Sequence, residues 1–334
     1  MKDGAWSEGL IREALWLSGK MSSYGDAAEV LERIGRLGMS QGSIWRRVEK
    51  WGAVCEQVLA QEQDQANCLP NRGTLIRGIE PKEERLGGSM DGAMVHIRDE
   101  GWKELKIGCV FEIEEEWLFD EDTQEMRPQA RATDNTYVAH LGSPQPFGQM
   151  MWAEAQQRGW EQSYDTQIVA DGASWIWNLT AEHFFDSHQT LDYAHACHYL
   201  HQASQLLYPH SDLQATRYLN QTETLLYQGQ VEQIILDLRK RATSHPSSAK
   251  ELRGIANYFE THKRRTHYLE LAEEGYLLGS GMVESEAKQY KARFTGPGML
   301  WSRQGLNHLL PFRTAIMSHS FNDLWAKAFN SPLN

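Results

Sequence analysis

Cysteine is scarce in this chain. Its 334 residues hold four, Cys55, Cys68, Cys109 and Cys197, and none stands in a C-x-x-C pair. That spacing argues against a disulfide framework and a cysteine-type zinc site, and it fits a reducing cytoplasm. Long apolar runs are also missing. No stretch approaches the ~20 residues that a membrane span needs, and the mean hydropathy is −0.57. The start, MKDGAWSEGLIREALWL, carries early acids and no small-residue cleavage site, so it does not read as a secretory signal. Internal repeats and low-complexity tracts are absent.

Positive charge is short overall, with a net charge of −12. Such a balance opposes nucleic-acid binding over the whole surface. The distribution is uneven, however. Residues 239–334 hold 14 Lys and Arg against 8 Asp and Glu. Much of the acid lies in one block, Glu112, Glu114, Glu115, Glu116, Asp120, Glu121, Asp122 and Glu125, with no Lys or Arg between Lys106 and Arg127. That block reads as a solvated hairpin tip, held away from any DNA path by like-charge repulsion.

Residues 1–55 read as helical. Ala27, Val30, Leu31 and Ile34 repeat at helical spacing, and the chain breaks at Leu37-Gly38-Met39. Ser40 then caps a second helix whose apolar positions are Ile44, Val48 and Trp51. Two short helices and a tight turn make a helix-turn-helix pattern, which any two-helix packing unit also gives. The second helix turns Gln41, Ser43, Arg46, Arg47 and Lys50 outward, as a groove-reading helix would. Residues 56–85 read as a helix tail and a polar linker.

From Gly87 the texture is β. GGSMDGAMVHI, WKELKIGCVFEI and ARATDNTYVAHLG read as three strands, with the acidic block between the second and third. A helix-like stretch over 146–158 follows. QIVADGASWIWNL reads as a fourth strand and TLDYAHAC as a fifth. Residues 198–262 return to helical spacing, broken at SHPSS, and KELRGIANYFETHKRRTHYLELA reads as one further helix. Three antiparallel-type strands, a helix and more strands are the order of an RNase H-like α/β core with an all-helical insertion. The expected division is a helix-turn-helix over 1–55, a linker over 56–85, core over 86–200 and 271–334, and the insertion over 201–270.

Three acids stand at telling places. Asp91 ends or interrupts the first strand and Asp171 ends the fourth, each followed by Gly. Glu284 opens the helix in LGSGMVESEAKQYKARF, with Lys288 and Lys291 on its face at i+4 and i+7. An Asp-Gly pair is by itself usually a turn, and a Glu–Lys face is usually solvated. Adjacent strands of this order would let the three carboxylates converge on divalent cations, and Mg²⁺ favours such oxygen donors.

The segments MDGAMVHIRDEGWKELKIGCVF, ARATDNTYVAHLG, VADGASWIWNL, LDYAHACHYL and YFETHKRRTHYLELAEEGYLLGSGMVESEAKQYKARFTGPGMLWSRQG carry a resemblance. The chain resembles the DDE transposases of bacterial insertion sequences, most closely the ISKra group. The resemblance implies a catalytic and metal-binding triad of Asp91, Asp171 and Glu284 with two Mg²⁺ ions, or Mn²⁺. It implies double-stranded DNA as partner, at least a homodimer on DNA, and a cytoplasmic, nucleoid-associated bacterial enzyme. Glu286 lies elsewhere on its helix and is left out of the triad. Asp192 and His195 resemble the D-x-x-H element of Mutator-like relatives, which either positions DNA or forms a structural hydrogen bond. Trp102 and Lys103 also fall in a matching segment. Trp102 either stacks on a flipped base or packs on the sheet, and Trp301 either anchors the last helix or faces DNA. Lys263, Arg264, Arg265, Lys288, Lys291, Arg293 and Arg303 are the candidate phosphate contacts. The rival functions are an RNase H-like nuclease or resolvase, and a non-catalytic DNA-binding regulator.

Overall fold

The computed structural model describes residues 6–65, 82–120, 125–296 and 298–332. Three helices come first: α1 (Glu8–Lys20), α2 (Tyr24–Gly35) and α3 (Gln41–Gln65). Ser7 and Ser23 cap the first two through their hydroxyls. Arg36 leaves α2 in the left-handed region at φ 55°. Ser40 begins α3 by accepting the Ser43 N–H at 3.2 Å, as its sequence position suggests. α3 is longer than the apolar spacing suggested. It continues to Gln65, and its second half buries Trp51, Val54, Cys55 and Val58 in the same core as the sheet. The stretch read as helix tail and linker is therefore helix to Gln65 and strand from Lys82, while 66–81 lies outside the described residues.

Three long strands follow, β1 (Lys82–Ile97), β2 (Gly101–Asp120) and β3 (Glu125–Leu141), then α4 (Pro144–Gln157), β4 (Ser163–Ala170), α5 (Ser174–His183) and β5 (His188–Leu191). They form one mixed sheet in the order β3-β2-β1-β4-β5. β1, β2 and β3 are antiparallel, and β4 and β5 run parallel to β1. The acidic block lies on β2 as far as Asp120, with Glu114, Glu115 and Glu116 exposed, and Glu125 starts β3; Glu121 and Asp122 lie outside the described residues.

Five helices separate β5 from the Glu284 helix: α6 (Tyr193–Leu207), α7 (Asp212–Tyr227), α8 (Val231–Ser244), α9 (Ala249–His262) and α10 (Tyr268–Glu273). The chain ends with α11 (Gly281–Phe294), α12 (Arg303–Met317) and α13 (Phe321–Asn330). The pleat sorts the sheet residues by parity. Ala93, Val95 and Val169 face a core shared with α3, α11, α12 and α13. Met90, Ile168 and Ala170 face α4, α5, α6 and the helices up to α10. The result is an α/β protein with helices on both faces of a five-stranded sheet. Among the described residues no helix is long and apolar enough to cross a membrane.

Four local expectations change. QIVADGASWIWNL is strand only to Ala170. The Asp171 carboxylate accepts the Ala173 N–H at 2.8 Å and turns the chain into α5. TLDYAHAC is strand only to Leu191, because Asp192 caps a helix by accepting the His195 N–H at 2.7 Å. The single helix expected over 250–272 is split by a 3₁₀ turn at Lys263–Arg265. Asp91 does not end β1. The strand passes through it, paired to Ile107 of β2, and only the pairing with β4 has stopped.

Candidate active site

The parallel β1–β4 ladder pairs Gly87 with Gln167 and Gly88 with Ile168. The pairing stops there, and the same register continued for three residues would set Asp91 against Asp171, beyond the point where the two strands part. Both share the parity of Ser89 and Val169, so they face the α11 side. Ser89 donates its hydroxyl to the Val169 carbonyl at 2.6 Å and ties the strands just before they separate. α11 lies on that face, with Val283, Ala287, Tyr290 and Phe294 packed in the shared core. Glu284 is in its first turn.

Asp91 senses the charges of the other two acids. Burial is the main cause that raises the Asp91 pKa, and the negative charges of Asp171 and Glu284 raise it further. The Gly92 N–H, donated to Asp91 Oδ1 at 2.6 Å, and the Lys291 ammonium act in the opposite direction. All three acids are partly exposed. Partly exposed carboxylates are donors of the kind that a hard divalent cation takes. The ligand atoms of Asp91, Asp171 and Glu284 do not, however, all lie within 4.8 Å of one another, as those of Asp192, His195 and Glu284 do.

A second acid cluster adjoins them. Asp192, His195 and Glu284 offer ligand atoms that lie within 4.8 Å of one another. Here the chemistry favours a hydrogen-bond network. Asp192 is 1% exposed. Its Oδ2 accepts the Ser280 N–H at 2.6 Å and the Ser280 hydroxyl at 2.7 Å, and its Oδ1 accepts from His195 N–H. These bonds outweigh its burial and pull its pKa down to about 2. His195 Nδ1 stands 3.4 Å from both Asp192 Oδ1 and Glu284 Oε1. The hydrogen bond to Asp192 is the first cause that raises the imidazole pKa to about 9, which favours the protonated ring at neutral pH. Ser280 Oγ also donates to Glu284 Oε1 at 3.2 Å. Asp192 thus fixes the start of α11, and His195 lays a positive charge beside Glu284.

The far helices reach this place too. A Cβ on Gly172 would meet the Tyr258 ring at 2.3 Å, so α9 closes directly on the loop after Asp171. His262 hydrogen-bonds the Gly172 backbone, and burial depresses its pKa to about 4. Ser280, Tyr258 and His262 carried no sequence signal. Each acts through a partner far away in the chain.

The basic candidates divide. Lys288 and Lys291 are exposed on α11, and Arg46 and Lys50 are exposed on α3. Arg46 donates to Ser43 Oγ, and Lys50 sits 5.2 Å from the Trp51 ring centre. Arg47 lies over the Trp6 ring at 4.2 Å. Lys263 pairs with Glu260 at 2.8 Å, Lys103 lies 4.0 Å from Glu100, and Arg303 grips Glu100 with two bonds. Arg264 is exposed. Arg265 stacks on Trp177 at 4.2 Å and donates to Gln189 Oε1. Arg293 departs most from its expected surface role: it is 3% exposed and donates to the Ser18 carbonyl at 3.0 Å. Trp301 packs edge-on against Tyr24 and Phe294 and donates its indole N–H to the Phe294 carbonyl. Trp102 is 63% exposed, with only an edge contact to His96. Glu286 has its own surroundings beside Arg313 and Tyr137.

No protein-family model matches the chain, and no curated protein matches it. Among solved structures the chain is similar to the Drosophila P element transposase strand transfer complex. The TM-score is 0.29 and the identity 11%, over 97% of this chain and 80% of that one. So loose an overlay transfers no residue.

Proposed function

We propose that this protein is a DDE transposase with an RNase H-like core, of the kind found in bacterial insertion sequences. The observation that carries the reading is the parallel pairing of β1 with β4, which ends three residues short of Asp91 and Asp171, with Asp171 and Glu284 both near enough to Asp91 for their charges to raise its pKa. The strand order β3-β2-β1-β4-β5 and the helices between β5 and α11 support it, as does the resemblance of the sequence segments that contain all three acids. Asp91, Asp171 and Glu284 would hold Mg²⁺ or Mn²⁺. Such ions, when bound, activate the attacking oxygen of a phosphodiester cleavage and stabilise the leaving one.

The chain's own residues do the rest. Asp192 and Ser280 hold Glu284 at a fixed height above the sheet. Protonated His195 balances part of the carboxylate charge and offers an N–H toward a phosphate oxygen. Lys288 and Lys291 continue that positive side along α11 and meet the DNA backbone. Arg46, Arg47 and Lys50 on α3, the second helix of the helix-turn-helix unit, read the terminal repeat. Pairing two ends requires at least a dimer on DNA.

The test is Mg²⁺-dependent cleavage of DNA that carries the flanking terminal repeats, followed by joining of a pre-cut 3′-hydroxyl end into a plasmid. Asp171→Asn should abolish both and leave DNA binding intact. Cleavage that persists in this variant defeats the site assignment. Cutting without any joining would point instead to a nuclease or resolvase.

A further inference from the structure

A separate cavity of about 360 Å³ lies at the opposite end of α11 from Glu284. The starts of α2, α3 and α12, the β1–β2 turn and the end of α11 meet around it. Its walls include Tyr24, Trp45, Arg98, Arg293, Leu300 and Trp301. The volume falls in the range of about 300–1,000 Å³ typical of ligand pockets.

Arg293 is the unusual member. Only its Nε has a partner, the Ser18 carbonyl, while its buried Nη2 has none. The rings of Tyr24, Phe294 and Trp301 surround the guanidinium at 5.4, 5.9 and 5.2 Å. Among the described residues no carboxylate lies within ion-pair distance of it, although Asp26 is near enough to be felt. A buried cation without an anion is costly unless something supplies one. The Tyr24 hydroxyl is buried and unpartnered in the same wall.

Two features add to the positive potential. Arg98 is exposed at the rim, held by Nη2 to the Leu300 carbonyl at 3.4 Å. α12 starts at Ser302 on the wall; its hydroxyl takes the Gly305 N–H, Glu49 lies close by, and the earlier amides of the turn favour an anion. Beside the serines Ser22, Ser23 and Ser302, the cavity offers two exposed apolar side chains: Trp45 is 46% exposed and Leu300 60%. An inorganic anion alone leaves these two unused, and an aromatic ring alone leaves Arg293 unpaired. A nucleoside phosphate uses both.

We propose that this cavity holds one unpaired nucleotide of a DNA strand, its phosphate toward Arg293 and Arg98 and its base on Trp45. The choice of a strand over a free nucleotide rests on the transposase reading; the chemistry of the cavity does not. The probe is a fluorescein-labelled oligothymidine single strand, followed by anisotropy in EDTA. Trp45→Ala and Arg98→Ala each remove a mouth residue that packs in no core, and thermal melting checks their folding. Each should weaken the strand roughly tenfold, since one stacked base or one phosphate contact is being lost. Excess thymidine monophosphate should not displace the strand. Unchanged affinity in the double variant overturns the proposal. Displacement by the monophosphate mole for mole overturns the strand and assigns the cavity to free nucleotides. No metal or cleavage enters the measurement, so its failure leaves the Asp91–Asp171–Glu284 assignment standing, and the reverse also holds.

Discussion

Asp192 and Ser280 are 88 positions apart, yet the Asp192 carboxylate takes both the backbone N–H and the hydroxyl of Ser280. The start of α6 is thereby latched to the start of α11. The helices from α6 to α10 form the excursion between them. The Tyr193 N–H, donated to the Leu278 carbonyl at 2.8 Å, closes the same latch from the other side.

Removing the latch should be expensive. Asp192→Ala leaves the buried Ser280 N–H without its acceptor and the Ser280 hydroxyl with only the longer bond to Glu284. The expected loss is about 2–3 kcal/mol of stability. Chemical denaturation of the variant measures it. Ser280→Ala, which keeps the backbone bond, should lose clearly less.

Divalent metal should stabilise the fold through the three acids. At Mg²⁺ a hundredfold above its dissociation constant the expected gain is about 2.7 kcal/mol. Asp171→Asn should remove most of that gain. It should also lower the Asp91 pKa, because one of the charges that raise it is gone. Melting curves with and without MgCl₂, and carboxyl titration by NMR, read the two effects. Equal metal stabilisation in the variant would place the cation elsewhere.

Acid should weaken the contact between α9 and the Asp171 loop. His262 is 4% exposed and its folded pKa is depressed from 6.5 to about 4, first by burial and then by Arg265. A depressed histidine contributes stability that is present above 6.5 and is lost as pH falls toward 4, because the unfolded chain binds the proton first. The melting temperature should therefore fall between pH 6.5 and 4. His262→Phe keeps a ring between Tyr258 and Trp177 and cannot protonate. Its melting temperature should fall less over the same range.

Close packing at Gly172 gives a steric test. Gly172→Ala drives a methyl into the Tyr258 ring, and overpacking of this kind costs about 1–3 kcal/mol. Tyr258→Leu in the same chain should recover part of the loss. If the double variant is as unstable as the sum of the two single changes, the ring is not what the methyl meets.

Much was legible in the residues alone, where the cause is local. Strand-like composition marked the first three strands, and Ser40 marked a helix start. Asp91, Asp171 and Glu284 stood out because apolar strand residues or a Gly-Ser-Gly turn framed them. Local pattern misled where one side chain redirects the chain: Asp171 and Asp192 each turn a strand into a helix through a single hydrogen bond to a nearby amide. Charge misled at Arg293, since a lysine-and-arginine count says nothing of what packs over a guanidinium.

What only the tertiary structure decided is which residues meet. The sequence by itself determined that β1 carries an aspartate and that another directly follows the apolar run of β4. The parallel pairing of the two strands, and with it the approach of Asp91 to Asp171, depends on packing α4 and α5 against one face and α11 and α12 against the other. The Asp192–Ser280 latch and the Gly172–Tyr258 contact have the same origin. Periodicity encodes the face a residue takes on its own element, while the partner across that face is chosen by burial of the whole core.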